Sequence, residues 1–390
     1  MLSPDYLINQ LGTITTIYSD LHTSILKSIA KHLSDTLAAV GKLEMMPSTL
    51  KQIKTALSTG ILRDEIIKHI SKTLKVSRSE VKKLFDNAGI ETLRYDNVIY
   101  REAGLLQVSR SPEMQRLLQA GVNKQMGSLQ RLTGTIAINS EALFERILNT
   151  AYNKVMTGTH SYTDALFDGV NDMLREGITS FRYESGRNIS IEAALLMNIR
   201  TGIAQTAGEV TEQGMIERGL SYVEVSAHMG ARNTGEGFKN HESWQGKVYY
   251  YSEIASVVNT HNLPDFKETT GFGDVAGLLG ANCRHSFSPF IPGISTPRWT
   301  DDKLKEYESK TYTFTGADGK QKTVGAYQAS QIQRNLERNI RDVKRRISVK
   351  EAAELSTANE QKALNAVRDR YKQFLDDTGL KRQFFRERIE

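Results

Sequence analysis

Proline placement narrows what this chain can fold into more than any other feature. Of seven prolines in 390 residues, Pro4, Pro47 and Pro112 precede residue 264, and Pro264, Pro289, Pro292 and Pro297 crowd into one short stretch. None follows. Proline removes a backbone donor and clashes with the preceding turn of a helix. Residues 113–263 and 298–390 are therefore free to form long helices. Start signals agree. Ser3-Pro4 and Ser111-Pro112 place a capping serine before a proline at the first helical position. Ser77-Arg78-Ser79-Glu80 reads as a capping box with Gly89 closing a short helix, and Ser161 with Asp164 opens another. Ser190 precedes an apolar pattern through Ala193, Leu196, Ile199, Ile203 and Met215, ending near Gly219.

Beyond Gly219 the period changes. Residues 221–228 alternate and are β-branched, and 247–251 read as a second strand. Residues 252–300 are rich in Gly, Pro and Asn and read mostly as loop. Residues 311–315 and 320–324 predict a hairpin turning at Asp318-Gly319, and helix resumes near Ala326. The predicted fold class is α+β: a mainly helical N-terminal half (1–189), a small mixed α/β module (190–300), then a β-hairpin and a basic helical C-terminal tail (301–390).

Composition excludes several classes. Hydrophobic residues at 39% and charged residues at 25% are those of a folded soluble protein, not of a disordered or fibrous one. No run approaches the roughly 18 apolar residues of a membrane span, so no membrane partner is expected. Met1-Leu2-Ser3-Pro4-Asp5 lacks the basic and apolar regions of a secretory signal. Cys283 is the only cysteine, which excludes an intrachain disulfide and any zinc site with two thiolates, and suits a reducing cytoplasm.

Residues 228–285 concentrate the chemistry. Four of eight histidines (His228, His241, His261, His285), the cysteine and one of two tryptophans lie there. Three strings stand out: Ala227-His228-Met229-Gly230-Ala231-Arg232; Asn240-His241-Glu242-Ser243-Trp244-Gln245-Gly246-Lys247-Val248-Tyr249; and Gly280-Ala281-Asn282-Cys283-Arg284-His285, with Pro289-Phe290-Ile291-Pro292-Gly293 after it. These strings resemble the phage minor capsid protein 2 family. More distantly, they resemble head-morphogenesis proteins typified by the Mu minor head protein. Arg200-Thr201 and the 327–346 segment share the resemblance, which is good from about 190 to 350 and only compositional before. It implies a structural protein of a tailed-phage virion, in the head interior or portal region after assembly in the host cytoplasm. Its implied partners are portal and capsid proteins; the basic stretch at 328–350 adds double-stranded DNA held without sequence preference, and residues 1–189, with capping signals but no cluster of reactive residues, read as a docking region. The alternative from another class is a phage-delivered enzyme on the 190–300 module, metal-dependent or ADP-ribosyl-transferring. The only Glu-x-Glu, Glu306-Tyr307-Glu308, falls in what reads as a short helix.

Read residue by residue, His228, His241, Cys283 and His285 are a sensible set for one tetrahedral zinc, although no cofactor is expected. Cys283 and His285, two apart on an extended segment, share a face. The same residues also admit a structural reading, with Cys283 as a small buried apolar group and the histidines bonded to backbone. Arg232 and Arg284 flank the cluster and can pair with Glu242 or Asp274. Trp244 reads as the plug of a small core, and Asn282 belongs to the same string. Gly271, Gly273, Gly277 and Gly280 are not followed by Gly-Lys-Ser/Thr, so they read as loop glycines and not a phosphate cradle. No residue of the chain carries a catalytic signature: there is no Gly-x-Ser-x-Gly and no His-Glu-x-x-His.

Residues 328–350 carry seven basic residues against two acids, a local charge of +5 in a chain of net charge +6. Arg334, Arg338, Arg341 and Arg345 follow one helix face, with Lys344 beside them. Leu336, Ile340, Val343 and Ile347 follow the same 4-3-4 spacing two residues on, about 200° away. The stripe reads either as a phosphate-contacting DNA-binding face or as a solvated one.

Overall fold

Helices α1 (Gly12–Gly41), α2 (Ser48–Glu102), α3 (Pro112–Met156) and α4 (Tyr162–Glu176) build the N-terminal half. The computed structural model describes residues 1–3, 6, 10–41, 48–108, 112–177, 179–182 and 188–389. Mainly helical α+β architecture is what the chain adopts. Ser3 Oγ accepts from the Tyr6 amide at 3.0 Å, as a capping serine does, while Pro4 and Ser111 lie outside the described residues. Ser161 caps α4 by accepting from the Asp164 amide.

The capping box at Ser77 does not start a helix. α2 runs unbroken through it, and Ser77 Oγ instead donates back to the Thr73 carbonyl at 2.7 Å. Burial of Val81, Leu84, Phe85 and Ala88 between α1 and α3 outweighs a local capping preference worth about 1 kcal/mol. Gly89 is likewise no helix end. A Cβ there would sit 2.7 Å from Leu118 Cδ2, so the glycine lets α3 approach α2 closely.

A two-stranded pair, β1 (Thr179–Arg182) with β2 (Asn188–Ser190), leads into α5 (Ile191–Ile216), which lies against α1, α2 and α3. That pair was absent from the sequence reading. The expected strands follow as β3 (Tyr222–Val225) and β4 (Val248–Tyr250), split by the single helical turn α6 (His241–Trp244). Past another short turn, α7 (Phe266–Thr270), comes β5 (Phe287–Pro289), inside the stretch read mostly as loop. The antiparallel order is β4-β3-β5, with Val223 opposite Tyr249 and Pro289. Pro289 is tolerated because β5 is an edge strand. One apolar core runs from Ile14 and Phe144 through Ile199 and Ile203 to Val223 and Phe287, crossing residue 190 without a break.

Helix α8 (Asp301–Ser309) precedes the hairpin β6 (Thr311–Thr315) and β7 (Gln321–Gly325), which turns at Asp318-Gly319 as predicted. Helices α9 (Ala326–Ala352) and α10 (Ala358–Thr378) close a second core with Phe314, Leu336, Ile340, Leu364, Tyr371 and Phe374. α9 also packs on α1.

Candidate metal centre and its basic neighbours

The site begins where β3 leaves its sheet. The ladder continues past the strand ends, with the Ser226 amide donating to the Ser286 carbonyl at 2.8 Å. This lays 226–228 beside 284–286. The His228 and His285 rings stack at 4.5 Å between centroids. α6 closes the other side, its His241 ring 5.5 Å from His285. Trp244 lies beneath, 4.6 Å from His241 and 4.9 Å from His285, its indole N–H donating to the Phe238 carbonyl at 2.8 Å.

Backbone close approach shapes the 271–283 loop. A Cβ on Gly277 would fall 2.0 Å from the Gly271 carbonyl oxygen, so only glycine lets the loop fold back. Its amides are spent internally, Leu278 on Thr270 at 2.9 Å and Ala281 on Val275 at 2.7 Å. The loop delivers the Ala276 carbonyl to His241 and Cys283 to His285.

Hydrogen bonds fix the tautomers. His241 Nε2 lies 2.9 Å from the Ala276 carbonyl oxygen, which can only accept, so Nε2 carries the proton. His285 Nε2 lies 3.1 Å from Gln245 Oε1, which also accepts from the His228 amide at 3.0 Å and so is the amide's carbonyl end. Both rings therefore leave Nδ1 as a lone-pair donor. His285 Nδ1 is 3.6 Å from Cys283 Sγ. One donor atom each from His241, Cys283 and His285 lies within 4.8 Å of the others, and all three residues are buried. Zinc ligands with a second nitrogen held by a carbonyl are a common arrangement.

His228, the fourth expected ligand, is in the cluster but not in this convergent set. Its Nδ1 is 3.1 Å from the Met229 carbonyl and 3.2 Å from Arg284 Nη2. Asn282 takes a left-handed backbone (φ 61°) and is exposed, its amide toward the Met197 sulfur and away from the rings. Arg232 donates to the carbonyls of Ala276 (3.5 Å) and Ala281 (3.3 Å), while Glu242 lies near Glu308. Arg284 donates to the Gly230 carbonyl at 3.0 Å. Sequence reading missed Gln245 and the Ala276 carbonyl: a backbone acceptor leaves no sequence signal.

Burial, reinforced by the arginines, holds the imidazoles neutral. His228 is pulled down to about 3, His241 to about 4, and His285 well below its ordinary value. Burial pushes the Cys283 thiol up to about 11. A thiol that high beside an imidazole that low is not a nucleophile–base pair. Neutral imidazoles are what a metal needs, and only the thiol must lose a proton to it. Protein purified without chelator is expected to carry about one zinc per chain. Cys283→Ser is expected to bring this to background by elemental analysis, and metal-free parent protein would leave the cluster purely structural.

The basic stripe of α9 is not the open face its spacing suggested. Arg338 is exposed, but Arg345 is only 6% exposed. It is held by Thr23 and Ser19 of α1 at 3.3 and 3.4 Å and by Asp342 at 3.2 Å. Arg341 donates to the Arg386 carbonyl, and Lys344 to the Glu387 carbonyl at 2.7 Å, clasping the C-terminal segment. Arg334 is half-buried. The apolar stripe is as expected, with Leu336, Ile340 and Ile347 buried. Glu306 and Glu308 are exposed on α8.

Comparison with known proteins matches residues 2–376 to the family model described as phage minor capsid protein 2. The chain is also 25% identical over 320 residues to a "Structural protein" of Lactococcus phage LL-H, covering 78% of this chain and 77% of the relative. No solved structure matches.

Proposed function

This chain belongs to the phage minor capsid protein 2 family, and from that premise we propose that it is a low-copy structural component of a tailed-phage head, seated at the portal vertex and acting in head assembly and DNA delivery. The observation that carries this reading is the family match, which extends far N-terminal of the strings at 228–285. Symmetry supports the location. A component present in few copies cannot tile an icosahedral shell, and the one vertex that breaks the symmetry offers it a distinct seat. Helix α2, up to about 80 Å long at 1.5 Å per residue, gives the reach to touch two neighbours at once. The neutral, internally bonded His/Cys cluster favours a structural over an enzymatic role. Among the described residues no helix is long and apolar enough to cross a membrane.

In this reading DNA contact by α9 is slight. With Arg338 as the one exposed member of the stripe, the slope of log affinity against log salt falls from the −3 to −4 of four phosphates to about −1.

An asymmetric reconstruction of the particle tests the proposal. Density for the chain is expected at one vertex only, beside the portal. Density at every vertex, or absence from mature particles, would overturn it.

A further inference from the structure

We propose that the outer face of α2 between Lys68 and Lys83 is a docking surface for the phosphate backbone of a nucleic-acid duplex, held without sequence preference. This goes beyond the structural role proposed above and rests on charge placement, not on the family.

Residues 68–83 carry six basic residues, Lys68, Lys72, Lys75, Arg78, Lys82 and Lys83, against one acid, Glu80, a local charge of +5. All six are exposed. At about 100° per residue they fall, with Ser71 and Ser79, on one arc of about 140°. The opposite side of the same stretch, with Ile66, Ile70, Val81 and Leu84, is buried where α2 packs on α1, α3 and α5. This is the open cationic face that α9 lacks, where Arg345 and Arg341 are spent on α1 and the C-terminal segment.

Neighbouring helix surfaces match their cations along the chain. Arg94, Arg116 and Arg175 each pair with the acid three residues earlier, Glu91, Glu113 and Asp172. In the α2 row, Lys82 pairs with Asp86 and Lys83 with Glu80. Lys68, Lys72, Lys75 and Arg78 make no ion pair among the described residues. Their neighbours one turn away are one another, at spacings of four, three and three residues. Like charges so placed work against the helix that carries them. Solubility does not call for such a row, since interspersed signs serve it as well.

The make-up of the face selects the partner. Protein interfaces centre on apolar and aromatic groups and deplete lysine there. On α2 the lysines hold the centre, and the exposed apolar residues Ile67 and Val76 lie at the two margins. Surfaces that grip nucleic-acid backbones have the reverse composition, with Lys, Arg and Ser donating to phosphate oxygens. No aromatic residue lies in 68–83, so unpaired bases find no stacking platform. A duplex needs none. From Lys68 to Lys82 the row is about 21 Å long, enough to reach several phosphates of one strand.

Titrating the full chain against a labelled DNA duplex of arbitrary sequence, at several potassium chloride concentrations, tests this. The four unpaired cations are expected to contribute about −3 to −4 to the slope of log affinity against log salt. Combining Lys68→Gln, Lys72→Gln, Lys75→Gln and Arg78→Gln is expected to remove that share and to weaken binding by about tenfold or more at 0.1 M salt. Its thermal midpoint is expected to equal or exceed the parent's, because glutamine is a good helix former and the like charges are relieved. Lys68→Arg with Lys72→Arg and Lys75→Arg keeps the charge and is expected to bind as the parent does. Should the four-Gln variant lose its helix, Lys72→Gln with Lys75→Gln is expected to reduce the slope by about 2. A duplex of scrambled sequence is expected to bind equally. A parent slope no steeper than about −1, or Gln variants that bind the duplex as the parent does, would each overturn the proposal. So would loss of the four-Gln variant from particles with duplex binding unchanged, which would mark an acidic protein surface as the partner.

Discussion

A chain beginning at residue 181 is expected not to fold. Helix α5 carries Leu195, Ile199, Ile203, Ala204, Ala207 and Met215, all at most 5% exposed, into one core with α1, α2 and α3. Removing those helices would return most of this face to water. At about 1.5–3 kcal/mol for each large side chain, four such residues forfeit about 6–12 kcal/mol. That is the whole stability of an ordinary domain. The division of the sequence at residue 189 implies a C-terminal part that survives such a deletion. Packing says otherwise. Circular dichroism on 181–390 should show little helix and no cooperative melt, and a sharp transition near the parent's would refute the shared core. Loss of the truncated chain from particles would then report misfolding, not a missing docking surface.

Trp244→Ala is expected to cost about 3–5 kcal/mol, in the range of large aromatic deletions from a core. The indole fills the space beneath His241 and His285 and ties α6 to Phe238. Its own carbonyl holds the Tyr249 hydroxyl at 2.7 Å, so α6 and β4 loosen together. Trp244→Phe keeps a ring but loses the bond to Phe238, and should cost clearly less. Urea unfolding of both variants measures the difference. A loss below about 1 kcal/mol for Trp244→Ala would mean that the cluster is held by the hydrogen bonds of Gln245 and Ala276 rather than by the indole.

Local chemistry was legible in the sequence. The helix start at Ser161, the hairpin at Asp318-Gly319, the apolar stripe Leu336-Ile340-Ile347 and the meeting of the 241–246 and 282–285 strings, Asn282 apart, all follow from residue type and short spacing. Each depends on atoms within one or two turns, or on turn-rich strings that bury polar groups only against each other. Tertiary structure decided what depends on neighbours far along the chain. Ser77 and Gly89 carry helix-end signals, yet α2 runs through them because α1 and α3 bury its flanks. Periodicity put Arg334, Arg338, Arg341 and Arg345 on one side of α9, but a stripe does not reveal what lies against it. α1 and the C-terminal segment took that side, leaving Arg338 in solvent. His228 belongs to the ring cluster by sequence, but the register of β3 with β5 turns its Nδ1 toward a carbonyl and an arginine. Glu337 and Arg386 lie 49 positions apart and share no motif. Only the fold brings their charges together, because electrostatics acts through space and sequence records it only along the chain.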